Sequence, residues 1–120
     1  MNKKHIIISA VMGALGVAFG AFGAHGLKNI LTPELIETYK TGILYHLIHA
    51  VVLLAISLNT KYNLKLSFYF ILAGIFLFSF SLYAYTLTGI TTFAMITPIG
   101  GVCLIIGWLS IIPRLVNNNK

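Results

Sequence analysis

Leu66-Ser-Phe-Tyr-Phe-Ile-Leu-Ala-Gly-Ile-Phe-Leu-Phe-Ser-Phe-Ser-Leu-Tyr-Ala-Tyr-Thr86 runs for 21 residues without an Asp, Glu, Lys or Arg. As a helix, at about 1.5 Å per residue, it reaches about 30 Å, the thickness of a bilayer's hydrocarbon core. Three more stretches share the property: His5–Ala24, Gly42–Leu58 and Met95–Pro113. The expected fold is therefore all-α, a four-helix transmembrane bundle forming a single domain over residues 1–120, with spans near 5–24, 42–58, 66–86 and 95–113.

Composition excludes the main alternatives. Charged residues make up 8% of the chain, against about 25% in an ordinary soluble domain, so a soluble fold would have almost nothing to cover its surface. The only acids are Glu34 and Glu37. The formal charge of +6 sits at span ends, where cations meet lipid headgroups, and points to the lipid bilayer as partner and away from nucleic acid. Cys103 is the single cysteine and lies within the fourth span, where it reads as a small packing residue. Lys3 and Lys4 precede an apolar run of about 20 residues, longer than the 7–15 of a signal peptide's core, so the first span reads as uncleaved.

With four spans, both termini and the second loop share one side. That side carries Lys3, Lys4, Lys61, Lys65, Arg114 and Lys120, against Lys28 and Lys40 on the other. The positive-inside rule then puts both termini in the cytoplasm. In the first loop, Thr32-Pro33-Glu34 starts a helix: Thr as N-cap, Pro at the first position, acid in the first turn. Leu35, Ile36, Tyr39 and Ile43 continue at helical spacing. This predicts a short interfacial helix between the first and second spans, able to run on into the second.

Glycines set the packing. Gly13, Gly16, Gly20 and Gly23 recur at three, four and three residues, one seam of a helix. Lipid is as apolar as leucine, so membrane helices associate by close packing, and a bare seam admits a neighbour's backbone. The fourth span repeats the rhythm in Gly100, Cys103, Gly107 and Ser110, beside Gly101. The expectation is that the first and fourth spans pack together within one subunit, with a homodimer through the first-span seam as the rival.

Polar groups within the spans are few. Tyr45-His46-Leu47-Ile48-His49 puts His46 and His49 on one face of the second span, which Ala50 and Ser57 extend. His25 closes the first span on the outer side and could approach the pair. Intramembrane ionisable residues are candidate relay or ligand sites, but neutral imidazoles bonded between helices fit the pattern better: no Cys, Asp or Glu supports the histidines as a metal site. Thr97-Pro98 reads as an N-cap and first turn opening the fourth span. There is no acid pair, no GxSxG and no HExxH. The chain reads as non-enzymatic, with no cofactor or metal ligand assigned.

Gly20-Ala21-Phe22-Gly23-Ala24-His25-Gly26-Leu27, Tyr45-His46-Leu47-Ile48-His49-Ala50, Phe80-Ser81-Leu82-Tyr83, Thr97-Pro98-Ile99-Gly100-Gly101 and Gly107-Trp108 together resemble the YgdD/YwdK-like family of small bacterial membrane proteins, over nearly the whole chain. The resemblance implies four spans and a bacterial plasma-membrane location, and no activity. It adds Ser81, Tyr83, Pro98 and Trp108 to the residues of interest. The leading functional reading is a protein that supports membrane integrity or accompanies a larger membrane complex. Beside it stand a small-molecule or proton carrier using His25, His46, His49 and Tyr83, and a haem- or metal-binding subunit.

Overall fold

The computed structural model describes residues 2–117. Four long apolar helices are each able to cross a membrane: Lys3–Gly26, Pro33–Leu58, Lys65–Thr88 and Thr91–Val116. We label them α1 (Lys3–Gly26), α2 (Pro33–Leu58), α3 (Lys65–Thr88) and α4 (Thr91–Leu109), with a short α5 (Ile111–Asn117) continuing the fourth span. Among the described residues there is no strand.

Local chemistry sets the ends. Asn2 caps α1 by accepting from His5 N at 3.2 Å. Thr32 caps α2, its Oγ1 accepting from Leu35 N at 3.3 Å, and Pro33 follows at the first position, where its missing N–H costs nothing. The helix begun there runs straight on into the second span: the expected interfacial helix is the first turns of an unbroken 26-residue α2. No residue between Glu37 and Gly42 breaks the helical pattern. Gly89, at φ 74°, ends α3 in the left-handed conformation glycine tolerates, and the chain reverses within two residues.

The fourth span starts earlier than expected. Thr97 and Pro98 are not its cap; α4 begins at Thr91 and Pro98 lies inside it. Proline removes one backbone donor, but membrane helices accommodate it by local adjustment of the backbone, and the helix continues through it.

In cross-section the bundle is a rhombus. α2 and α3 are the inner pair; α1 packs on α2, and α4 packs on α3. The Cα trace measures 55 × 25 × 17 Å, wider than thick, as that order requires. Thus α1 and α4 do not pair, contrary to the expectation from their glycines. Each seam instead receives bulky side chains from an inner helix. In α1, a Cβ on Gly16 would press on Leu47, one on Gly20 would touch Ile43, and one on Gly23 would meet the Tyr39 ring. Gly13 faces open space. On the other side, Gly107 packs on Ile71, and Gly74 of α3 receives Leu104. A seam is a groove, and here each groove is filled by a ridge of side chains from the helix beside it.

The core has two parts. Met12, Ala50, Leu53, Ile56, Phe68, Ile71, Ile75 and Leu104 fill one half of the bundle; Leu27, Tyr39 and Tyr83 anchor the other, with Phe19, Leu31, Ile43 and Phe80 against them. Residues Phe76–Phe80 of α3 form a π-helical turn, a widened turn that elsewhere often marks functional positions. Two glycines hold it. Gly100 of α4 lies against the backbone of Leu77 and Phe78, and Gly42 of α2 lies against the Ser79 carbonyl and the Tyr83 ring.

Candidate functional site: the buried histidines

His46 is wholly buried where α1, α2 and α3 meet. Its Nε2 lies 2.8 Å from the Met12 carbonyl and its Nδ1 lies 2.8 Å from the Tyr83 hydroxyl. A carbonyl only accepts, so Nε2 carries the hydrogen and Nδ1 accepts from Tyr83. One ring thus ties α2 to α1 and to α3. Gly16 makes this possible: a Cβ there would stand 3.4 Å from the His46 ring and closer still to Leu47. Phe19, Phe80 and Tyr83 surround the imidazole with centroids 5.4 to 6.4 Å away.

His49, one turn on, faces elsewhere. Its Nδ1 donates to the Tyr45 carbonyl at 2.7 Å, and its Nε2 accepts from the Trp108 indole at 3.0 Å. The two histidines therefore hold opposite tautomers, each with one nitrogen donating and one accepting. His49 links α2 to α4, so the two rings together join all four spans.

The remaining candidates divide between this network and its surroundings. Tyr83 belongs to it. Tyr45 contributes its carbonyl, while its ring is partly exposed and lies tilted against Phe78, centroids 4.5 Å apart. Ser81 donates to the Phe78 carbonyl at 2.8 Å and pairs with Thr97 at 2.6 Å. These two hydroxyls therefore serve the π-helical turn, satisfying one of its carbonyls and tying α3 to α4. His25 is exposed at the end of α1. It lies nine residues, about 13 Å of helix, beyond the Gly16 that His46 packs on, and it does not join His46 and His49.

Three buried polar groups lie outside the expected network. Tyr39 donates to the Phe19 carbonyl at 2.6 Å, a second tie between α2 and α1. His5 is buried, stacked on Phe68 at 4.1 Å and bonded through Nε2 to the Tyr69 hydroxyl at 3.1 Å. Ser79, in the π-helical turn, is fully buried, and its hydroxyl has no partner among the described residues. Tyr39 had a signal in its helical spacing with Leu35, Ile36 and Ile43; the π-helical turn around Ser79 had none, because it leaves no mark in composition.

Chemically, the arrangement cross-links helices. Every nitrogen of His46 and His49 is occupied, so neither ring offers a lone pair to a ligand without breaking a bond that holds two helices together. Among the described residues, no three His, Cys, Asp or Glu side chains gather as a metal site would require.

Four apolar spans with their polar groups turned inward and spent on one another define a compact multi-pass membrane protein. The chain belongs to the family described as "Protein of unknown function (DUF423)", whose profile matches residues 19–101. It is 39% identical over 119 residues to the UPF0382 membrane protein YwdK of Bacillus subtilis, covering 95% of this chain and 97% of that one. It is 40% identical over 114 residues to a UPF0382 membrane protein of Haemophilus influenzae, covering 92% of each. The UPF0382 inner membrane protein YgdD of Escherichia coli is 34% identical over 111 residues, 89% of this chain and 85% of its own length. No solved structure matches the chain.

Proposed function

We propose that this is a non-enzymatic protein of the bacterial cytoplasmic membrane, both termini inside, acting as an accessory subunit of a larger membrane assembly. The observation that carries this is that every ring nitrogen of His46 and His49 is committed to a hydrogen bond, three of the four between helices. The strongest candidates for chemistry are already used as structure. The shape agrees with an accessory role: α1 and α4 are the outer corners of the rhombus and leave most of their length exposed, through Val11 and Val17 on one and Val102, Ile105 and Leu109 on the other. The six-to-two distribution of basic residues supports cytoplasmic termini.

The test is native mass spectrometry of the tagged protein released gently from its own membrane. A membrane protein that co-purifies in fixed stoichiometry supports the reading. A chain that emerges with no protein partner overturns the accessory role. A haem, metal or small molecule lost in His46→Ala/His49→Ala overturns the non-enzymatic one.

A further inference from the structure

At the end of the bundle that holds the start of α1, the end of α2 and the start of α3, a recess of about 230 Å³ opens among Asn2, His5, Ser57, Thr60, Asn63 and Lys65. It has room for about seven waters at liquid density. Beside it, sharing Asn63 and Lys65, a second hollow of about 310 Å³ runs toward the lipid past Leu66, Tyr69 and Arg114.

Hydrogen-bond bookkeeping makes the recess donor-rich. Asn2 spends its side-chain oxygen on His5 N at 3.2 Å, and Asn63 spends its own on Lys65 N at 3.2 Å. Each amide keeps its NH2, two donors, free for a ligand. Lys65 adds a cation with three donors and Thr60 a hydroxyl. Arg114 stands across the second hollow with a planar fork of donors suited to a phosphate. His5 closes the wall, 5% exposed; among the described residues its Nδ1 has no partner. No side-chain carboxylate competes: the chain's only two, Glu34 and Glu37, lie in the first two turns of α2, at the opposite end of the bundle. Two basic groups at the edge of a polar recess that opens toward lipid are the arrangement basic headgroup pockets use.

We propose that this recess binds a phosphate-bearing anion, presented by the headgroup of an acidic phospholipid, with the phosphate between Lys65 and Arg114 and the polar head among Asn2, Thr60 and Asn63. Its acyl chains leave along Leu66 and Tyr69. The proposal stands apart from the accessory role and needs no partner protein.

The protein in phosphatidylcholine nanodiscs, doped with phosphatidylglycerol, is released and weighed by native mass spectrometry. One retained phosphatidylglycerol per chain is expected, reduced at least about tenfold in Lys65→Gln/Arg114→Gln. Asn2→Asp/Asn63→Asp keeps both oxygens that cap the backbone amides and turns the outward donors into carboxylates. It should fold normally, with an unchanged circular-dichroism spectrum, and lose the lipid. Lys61→Gln removes one charge from the same loop outside the recess and should retain it. A second arm adds millimolar inorganic phosphate: failure to displace the lipid assigns the headgroup, and displacement assigns the phosphate group alone as what is recognised. No preferential retention of phosphatidylglycerol by the wild type overturns the proposal, as does loss in Lys61→Gln equal to that in Lys65→Gln/Arg114→Gln, or retention in a folded Asn2→Asp/Asn63→Asp.

Discussion

The indole of Trp108 donates to Nε2 of His49 across 3.0 Å, from the fourth span to the second. These helices have little backbone contact, since α4 packs on α3, so the bond closes the side of the rhombus between α2 and α4. Interhelical hydrogen bonds in membranes are worth about 0.6 kcal/mol on average and up to about 1.7. A double-mutant cycle of Trp108→Phe and His49→Ala, read by thermal unfolding in detergent, should give a coupling energy in that range. Strict additivity would mean that the two side chains do not meet in the membrane.

The glycines separate into those the fold needs and those it does not. A Cβ on Gly100 would run into the backbone of Leu77 and Phe78, which cannot swing aside as a side chain can. Gly100→Ala should therefore cost about 3 kcal/mol or more, the upper range for overpacking, and lower the yield of folded protein sharply. Gly13 faces open space, and a Cβ on Gly101 would stand 3.8 Å from the Phe78 ring. Gly13→Ala and Gly101→Ala should leave the unfolding midpoint within a few degrees of wild type. Equal sensitivity at Gly100 and Gly101 would contradict the packing at the π-helical turn.

Ser79 gives a prediction of opposite sign. Its hydroxyl is fully buried with no partner among the described residues, and burying an unpaired hydroxyl costs about 1–3 kcal/mol by protein mutational data. Ser79→Ala should raise the unfolding midpoint or leave it unchanged. A clear drop would mean that the hydroxyl is hydrogen-bonded in the membrane, and the π-helical turn would then hold a bound polar group.

Topology can be read directly. In a Cys103→Ala background, Lys61→Cys lies in the loop between α2 and α3, and Glu37→Cys lies in the exposed first turns of α2 at the other end. An impermeant maleimide added to intact cells should label Glu37→Cys and spare Lys61→Cys until the membrane is opened. The reverse pattern would invert the protein.

The four spans were legible because the absence of charge over about 20 residues has one common explanation. The first cap of α2 was legible too, since Thr32, Pro33 and Glu34 each favour a helix start for a separate reason. The partners of the seams were not. Glycine spacing on α1 says that something approaches closely, but not whether it is another seam or the ridge of Leu47, Ile43 and Tyr39. Pro98 misled because proline at a first turn and proline inside a membrane helix look alike in sequence. The neighbours of His46 and His49 were hidden for a related cause. Spacing put the two rings on one face, yet one residue pair can share a face and still serve different helices, His46 toward α1 and α3 and His49 toward α4.

His46 is where a structural role and a proton-handling role part company. His46→Leu removes the bonds to the Met12 carbonyl and the Tyr83 hydroxyl, leaving the Tyr83 hydroxyl buried without its acceptor. That should cost about 1–3 kcal/mol, and adding Tyr83→Phe should recover part of it, because the orphaned hydroxyl is gone. His46→Gln is the decisive variant. An amide has an acceptor and donors, so it can replace both bonds, but it cannot take up a proton near neutral pH. If the imidazole is a tie between helices, the Gln variant unfolds within a few degrees of wild type and behaves as wild type in cells that depend on the protein. A variant that folds normally and still fails in those cells would move His46 from the frame of the bundle to its chemistry.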